Sequence, residues 1–173
     1  GEAFIANPYL MELTRKLPSD EIEILKEDAD TQLIIKGGKL KFECLTMNPN
    51  DFTEVEIVEN GYSHFDTTSV IMKDLIDNTS YACATDVARP IFMGTFLAVQ
   101  QNNISMVATD THRLALKSSS LETPIETPLQ AVIPSRLLAE ISRQLPTDIP
   151  ETVEITAVRS YLAIKFGNVY IRT

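Results

Sequence analysis

The stretch from Val107 to Ala115 holds the side chains of this sequence whose spacing could most readily support chemistry. It reads Val-Ala-Thr-Asp-Thr-His-Arg-Leu-Ala, so that a polar group lies between two apolar runs typical of strands. Asp110 and His112 could act as an acid–base pair or as two metal ligands. A turn that presents Asp, His and Arg113 on a rigid frame is a common place for a functional site. The alternative is a structural hydrogen-bond cluster that closes the hairpin.

The rest of the sequence gives little support to an enzyme. A metal centre needs three or four ligands, and the one other histidine, His64, is far away in sequence. Cys44 and Cys83 are widely spaced and lack metal-like neighbours, which favours two buried free thiols in a reducing cytoplasm. The sequence contains no serine-hydrolase elbow, phosphate loop or His-Glu-x-x-His pattern. We therefore expect no catalytic residue, no metal and no cofactor.

The elements that must position the turn belong to an internal repeat. The segment 10–20 returns as 138–148, and both place apolar residues at i, i+3 and i+7, as on one face of a helix. A proline, Pro18 or Pro146, follows the last apolar residue and helps to end each helix. Each helix follows a short apolar segment and precedes three alternating segments. The pattern predicts copies made of a strand, a helix and three strands, which complete a shared sheet and core with a neighbour.

A weaker third copy lies between these two. Its helix is predicted at 70–76, with Thr67 or Thr68 as the N-cap. Tight hairpins are expected at Gly37-Gly38 and Gly167-Asn168. The predicted strands, in chain order, are 4–6, 21–25, 32–36, 40–44, 63–66, 94–99, 105–108, 113–116, 132–134, 153–156, 161–165 and 169–172. We place the first boundary between copies at 54–61 and a connecting loop at 118–128.

Composition indicates an ordinary globular chain with an acidic balance. The 173 residues are 44% hydrophobic and 23% charged, with a net charge of −9. The apolar runs are too short for a membrane span, and no charged-then-apolar signal segment opens the chain. A protein that coats DNA is usually basic. An acidic chain can still hold DNA if its 15 Lys and Arg residues are gathered on one surface.

Three motifs carry a resemblance to a known family. Ala-Thr-Asp-x-His-Arg-Leu-Ala resembles the signature of the bacterial DNA polymerase III beta subunits, the replication sliding clamps. Segments 89–94, Arg-Pro-Ile-Phe-Met-Gly, and 132–140 resemble two further parts of that family, in its order and at its spacing. The resemblance covers essentially the whole chain. One departure is Thr111, where the family usually has glycine. Because a turn with positive φ accepts glycine far more readily, we expect the local backbone or the adjacent pocket to differ.

The resemblance implies an α+β DNA-clamp fold of repeated β-α-β-β-β units, with antiparallel sheets outside and helices on one inner wall. Residues 1–57 would be the second half of the first clamp domain, and 62–173 most of the second. The third domain would be absent, which implies a fragment. The full protein is expected to be a homodimeric ring in the bacterial cytoplasm and a non-catalytic processivity factor of the DNA-directed DNA polymerase complex. Expected partners are duplex DNA, bound without sequence preference, and peptides of the replicative polymerase, the clamp loader and repair proteins; no membrane is involved. The alternative is a β-rich interaction module without a DNA role.

Site residues follow from the resemblance and from helical spacing. Residues expected to face DNA are Arg15, Lys73, Arg89, Arg136 and Arg143. Residues expected to form half of a peptide-binding cleft are Phe92, Thr109, Thr111, His112, Arg113 and Leu114, with the other half beyond Thr173. Residues expected at a protomer interface are Leu13, Lys39 and Lys41. The alternative for all the cations is that they are solvated surface charges.

Overall fold

A computed structural model describes residues 3–5, 7–17, 21–26, 32–48, 50, 56–58 and 60–173. The chain divides into two compact units, Gly1–Val55 (unit 1) and Glu56–Thr173 (unit 2). The helices of the described residues are α1 (Asn7–Lys16), α2 (Ser69–Asp77) and α3 (Ser135–Gln144). The strands are β1 (Ile22–Leu25), β2 (Gln32–Gly37), β3 (Leu40–Leu45), β4 (Ser63–Thr68), β5 (Gly94–Gln100), β6 (Asn103–Thr109), β7 (Leu114–Ser120), β8 (Leu129–Pro134), β9 (Thr152–Val158), β10 (Tyr161–Phe166) and β11 (Val169–Arg172). Short 3-10 helices cover Ser80–Ala82 and Pro90–Met93.

Unit 2 contains two copies of the same order of elements, a strand, a helix and three strands. Each copy places its first strand in the sheet of the other copy. The first copy is β4, α2, β5, β6 and β7, and the second is β8, α3, β9, β10 and β11. Sheet 2 has the strand order β7-β6-β5-β8, and sheet 3 has the order β11-β10-β9-β4. All neighbouring strands pair antiparallel. Each copy therefore supplies three strands to one sheet and its first strand to the other.

The core of unit 2 lies beneath the inward faces of both sheets. Leu97 of β5 and Ile155 of β9 are completely buried, as are Leu75 of α2 and Ile141 of α3. Alternate residues of the strands point to opposite faces of a sheet, so one face of each strand reaches this core. Burying each such side chain stabilises the fold by roughly 1.5–3 kcal/mol relative to leaving it exposed. The two copies therefore depend on one shared core.

Helix α2 begins at a hydroxyl cap. Thr68 adopts an extended backbone, and its side chain accepts a hydrogen bond from the N–H of Ile71 at 3.2 Å. Of the two caps that the sequence allows, Thr68 is the one used. The predicted loop at 118–128 was wrong at its start, because β7 continues to Ser120 through pairing with Asn103 of β6.

Unit 1 contains α1 and sheet 1, with the strand order β1-β2-β3. The predicted Gly37-Gly38 turn was wrong by one residue: Gly38 carries the positive φ of 58°, and Gly37 is the last residue of β2. A Cβ at Gly37 would lie 2.7 Å from Cδ2 of Leu17, which explains glycine there. The predicted strand at 4–6 is an isolated bridge between Phe4 and Met47, and its third residue lies outside the described residues. Residues 18–20 of the predicted first helix, and 54, 55 and 59 of the predicted boundary, also lie outside them.

Candidate functional site

The turn between β6 and β7 comprises residues 110–113 and is closed by its own side chains. Asp110 Oδ1 accepts the backbone N–H groups of His112 and Arg113, both at 3.0 Å. Thr109 Oγ1 donates to the carbonyl oxygen of Arg113 at 2.7 Å and accepts the N–H of Thr111 at 3.1 Å. These hydrogen bonds close the hairpin, as the alternative of a structural hydrogen-bond cluster predicts. It also fixes the side chains that the turn displays.

Arg113 is held in place from two sides. Its Nε donates to Asp110 Oδ2 at 3.0 Å, and its Nη2 donates to the carbonyl oxygen of Tyr81 at 2.9 Å. The guanidinium carbon lies 5.9 Å from the centre of the Tyr81 ring. The side chain is nevertheless 58% exposed. Since guanidinium carries five N–H donors, donors remain for a ligand while the fork itself is oriented.

Asp110 remains a carboxylate over the physiological range. Hydrogen bonds from the backbone N–H groups of His112 and Arg113 are the main causes that lower its pKa; desolvation opposes them, and the hydrogen bond and charge of the Arg113 side chain lower it further by smaller amounts. A carboxylate with a lowered pKa is a poor proton donor near neutral pH. Asp110 is thus a positioning group for the turn and for Arg113.

A cleft of about 480 Å³ opens beside the turn. Its lining is formed by Cys83, Ala84, Thr85, Asp86, Arg89, Phe92, Asp110, Thr111, His112 and Arg113. The structure thus brings together four of the six predicted cleft residues. Thr109 and Leu114 do not line it. Thr109 is engaged in the turn, and Leu114 lies on the outward face of sheet 2, where it is 65% exposed.

Thr111 keeps the left-handed backbone that the turn requires. Its φ is 79°, a value unusual for a β-branched residue. The expectation of an altered backbone is therefore not met in φ, since Thr111 adopts the conformation that glycine would adopt at no steric cost. Its side chain adds to the lining of the cleft, which a glycine could not do.

Sequence reasoning missed the segment 81–86, of which residues 83–86 line the cleft. Tyr81 supplies the carbonyl oxygen that receives Arg113, and Ala84 N–H donates to the Phe92 carbonyl oxygen at 2.8 Å. Within this segment Ala82 and Cys83 pack with Ala108 and Ala115 in a small buried cluster. The small residues of this segment follow no sequence pattern that is typical of a functional site. The exposure of Tyr81 is known only from the structure.

The predicted DNA-facing cations divide into engaged and unengaged groups. Lys73 Nζ donates to the carbonyl oxygen of Ser142 at 2.6 Å and to its Oγ at 2.9 Å, and lies 3.6 Å from Asp77. Arg143 pairs with Glu140 on the same helix. Lys73 therefore joins α2 to α3, and the charge of Arg143 is locally balanced.

The remaining three are exposed. Arg15 on α1 and Arg136 on α3 have no bonded side-chain partner among the described residues, and the same holds for Arg89. Arg89 lines the cleft rather than belonging to a helix. Arg89 directly precedes the 3-10 helix Pro90–Met93, whereas Arg136 lies on α3.

The predicted protomer-interface residues all lie in unit 1. Leu13 lines an apolar pocket of about 600 Å³ together with Phe42 and Cys44. Lys41 donates to Glu43 at 2.7 Å, and this bond and charge lower the pKa of Glu43. Lys39 is exposed in the turn that follows Gly38. Among the described residues no cluster of three or more His, Cys, Asp or Glu side chains could hold a metal, and no helix is long and apolar enough to cross a membrane.

The fold defined by these paired copies is that of a DNA clamp. The structure of the DNA polymerase III subunit beta from Pseudomonas aeruginosa bound to griselimycin covers all of this chain with 30% identity and a TM-score of 0.87, over 46% of its own length. The clamp of Bacillus subtilis gives a TM-score of 0.82 at 28% identity, over 96% of this chain and 43% of that one. The predicted fold class is confirmed.

Sequence comparison identifies the family. The family model described as DNA polymerase III beta subunit, central domain, matches residues 67–173, and the chain belongs to this family. The beta sliding clamp of Bacillus subtilis is 29% identical over 169 residues, which are 98% of this chain and 44% of that protein. That of Staphylococcus aureus is 25% identical over the same length. The chain thus spans less than half the length of these relatives, and the resemblance stated from its motifs is confirmed.

Proposed function

We propose that this chain is part of a sliding clamp, a processivity factor that encircles duplex DNA and tethers the replicative polymerase and other partners through a peptide-binding cleft. The observation that carries the proposal is the fixed Arg113, oriented by Asp110 and Tyr81 at the edge of a cleft, in a domain of the clamp family. The role is mechanical, so no catalytic residue is needed. The site of action is the replisome in the bacterial cytoplasm.

The cleft suits one part of an extended peptide. Arg113 offers N–H donors to a peptide carbonyl or carboxylate, and the half-buried Phe92 offers an apolar wall. Leu114, although outside the cleft lining, follows Arg113 in the chain and presents an exposed apolar side chain. The partners would be peptides of the polymerase, the clamp loader and repair proteins. Griselimycin is bound to the Pseudomonas aeruginosa clamp, and we propose that it binds this chain at the cleft, where it can serve as a probe.

Duplex DNA would be retained by enclosure rather than by affinity. Arg15 and Arg136 are the helix cations available to phosphates, while Lys73 and Arg143 are already engaged. Each neutralised phosphate gives a salt dependence of about 0.9 log unit in affinity per log unit of salt. Few contacts therefore mean loose binding, which permits sliding. We expect very weak duplex binding by the isolated chain, and tight, salt-resistant binding in a gel-shift assay would contradict this.

The complete protein would close as a homodimeric ring. Residues 1–57 would form the second half of its first domain and 62–173 most of its second. Leu13, Lys39 and Lys41 would face a second protomer. The apolar pocket around Leu13 supports this assignment, because an exposed apolar surface favours burial against a partner. A monomeric full-length protein in a sedimentation experiment would count against the ring.

A β-rich interaction module without a DNA role is the second candidate. It is favoured by the helix charges of unit 2: α2 carries one lysine and two aspartates, and α3 carries two arginines and one glutamate. Weak duplex binding that falls with salt and is reduced by Arg136→Ala would favour the clamp. Binding that is absent at low salt, with the cleft intact, would favour the module.

The cleft is tested by griselimycin titration with calorimetry. Arg113→Ala should weaken binding about tenfold or more, since it removes charge-assisted donors worth roughly 1.5–3 kcal/mol. Arg172→Ala is the matched control, because Arg172 also stacks on a tyrosine, at 3.8 Å from the Tyr161 ring centre, in the second copy. Equal affinities for Arg113→Ala and the unmodified chain would contradict the cleft assignment.

A further inference from the structure

The segment that opens unit 2 lies across the outward face of sheet 3 before the chain enters β4. Its described residues, 56–58 and 60–62, are named the strap. At one end, Tyr62 N–H donates to the carbonyl oxygen of Ala157 on β9 at 2.9 Å. Nearer the other end, Val58 N–H donates to the hydroxyl of Tyr170 on β11 at 2.9 Å. Since β10 lies between β9 and β11, these two bonds hold the strap across the sheet.

The strap approaches the sheet closely at Gly61. Val153, Ile155 and Ala157 of β9 are completely buried in the core, so Thr156 faces outward. Thr156 is nevertheless only 6% exposed. A Cβ on Gly61 would lie 2.8 Å from Thr156 Cγ2 and 2.1 Å from the Ala157 carbonyl oxygen, which leaves room for glycine alone. The backbone of the strap therefore lies directly against β9.

Tyr170 supplies the side-chain anchor of the strap. Its hydroxyl accepts the Val58 N–H and donates to the carbonyl oxygen of Glu56 at 3.3 Å. Among the described residues no other side chain is bonded to the strap. None of the side chains of the strap is fully buried, and Ile57 is 69% exposed. The strap is thus held by a few hydrogen bonds and not by apolar burial.

The connection 121–128, between β7 and β8, offers a comparison within the same unit. Its residues Leu121 and Ile125 are 5% and 8% exposed and belong to the main core. Burial of an apolar side chain contributes more to stability than one hydrogen bond does. The connection 121–128 therefore cannot leave its place without opening the core, whereas the strap can.

We propose that the strap is a releasable connection between the two units, and that the Tyr170 hydroxyl is the group that keeps it on sheet 3. The boundary between the units falls just before Glu56. When the strap is released, the bond of Tyr62 to β9 becomes the first attachment of unit 2. The positions from 56 to 61 then join the connection, which gains roughly 20 Å of reach at about 3.3–3.6 Å per residue. The units can then move further apart while the core of unit 2 stays closed.

The test compares two tyrosine-to-phenylalanine variants of the whole chain by amide hydrogen exchange. Tyr170→Phe keeps the ring and removes the hydroxyl, so the Val58 amide should exchange about tenfold faster, which corresponds to ~1.4 kcal/mol. The Tyr62 amide should keep its exchange rate, because its acceptor is on β9. Tyr161→Phe is the matched control: Tyr161 also lies on sheet 3, and its hydroxyl has no bonded partner among the described residues. It should leave Val58 unchanged.

A second readout follows movement between the units. Amide nitrogen relaxation gives the rotational correlation time of each unit, from β2 for unit 1 and from β9 for unit 2. In Tyr170→Phe the β2 amides should tumble faster relative to those of β9 than in the unmodified chain. The urea midpoint of unit 2 should change little, since no core side chain is altered.

The proposal fails in any of three cases. Unchanged exchange at Val58 in Tyr170→Phe would show that the hydroxyl does not hold the strap. Equal acceleration at Val58 and Tyr62 would mean a general loosening of sheet 3. Faster exchange at Val58 with unchanged relative tumbling would show that release does not free the units. None of these readouts involves the cleft, so they are independent of the griselimycin titration.

Discussion

The two copies within unit 2 share a chain path but differ at the hairpin that ends each of them. In the second copy β10 and β11 are joined by Gly167 and Asn168, with glycine at φ 50°. In the first copy the equivalent hairpin holds four residues, a carboxylate that binds two backbone N–H groups, and a threonine at φ 79°. The shorter turn is sufficient for the fold. The extra residues and the strained backbone of the longer turn therefore indicate that this turn has a function beyond folding.

The outward faces of the two sheets and the helices show the same kind of difference. Sheet 3 pairs Glu154 with Lys165 where sheet 2 pairs Phe96 with Val107, and α3 has two arginines where α2 has one lysine. Buried positions, in contrast, correspond in character: Leu97 and Ile155 are equivalent, and both are completely buried. Features that the copies share belong to the fold, and features that differ are where the functional hypotheses lie.

The largest expected effect tests the shared part. Leu97→Ala and Ile155→Ala should each lower the free energy of unfolding by about 3 kcal/mol, because each leaves a cavity in the common core. Urea denaturation measures both. Losses that differ by more than about 2 kcal/mol would show that the two copies do not share the core equally.

Exchanging the turn residues comes next. Gly167→Thr should destabilise unit 2 by about 2 kcal/mol, since it places a β-branched residue at positive φ. Its Cβ would also lie 3.1 Å from Glu151 Oε2. Asn168→Thr is the matched control with a smaller loss. Equal urea midpoints for Gly167→Thr and the unmodified chain would mean that this backbone is free to change.

The reverse exchange has a smaller effect of opposite sign. Thr111→Gly should relieve strain of about 1–2 kcal/mol, offset by about 0.5–1 kcal/mol from the greater freedom of the unfolded chain. A net gain of about 0.5 kcal/mol is expected in urea denaturation. Destabilisation by Thr111→Gly would show that the threonine side chain makes a favourable contact in the cleft.

The smallest effect is a local one of pH. Because the pKa of Asp110 is lowered on folding, its carboxylate supports the turn above the ordinary aspartate pKa of about 3.9, and this support is lost as the pH falls through the lowered value. Amide hydrogen exchange at His112 and Arg113 should therefore accelerate, beyond the intrinsic change, only at strongly acid pH. Asp110→Asn should remove this dependence on pH. The exchange rate of the Asn168 amide, in the equivalent hairpin, provides the comparison. A transition near neutral pH would contradict the assigned cause.

The regular elements were largely predictable from the sequence. Apolar spacing over 138–148 and alternation over 94–99 and 105–108 marked α3, β5 and β6, because one face of each element must reach the core. The turns were less predictable. Gly38 rather than Gly37 takes the positive φ, and only the close approach of Leu17 to Gly37 explains why both positions are glycine.

The site was predictable in part. The motif located Asp110 and Arg113, because a polar cluster between strands is visible in one dimension. The Tyr81 carbonyl that orients Arg113 was not, since it lies 32 residues away and acts through its backbone. Likewise, the bond of Lys73 to Ser142 could not be predicted, since it depends on α3 lying against α2.

The contrast between the two hairpins can be measured most directly by amide NMR of the chain during griselimycin titration. We expect shifts for residues 109–114 and Phe92 that are lost in Arg113→Ala, while residues 166–169 of the equivalent hairpin remain unchanged. Shifts confined to the second hairpin, or none anywhere at saturating compound, would contradict the assignment of the first hairpin as the partner-binding site.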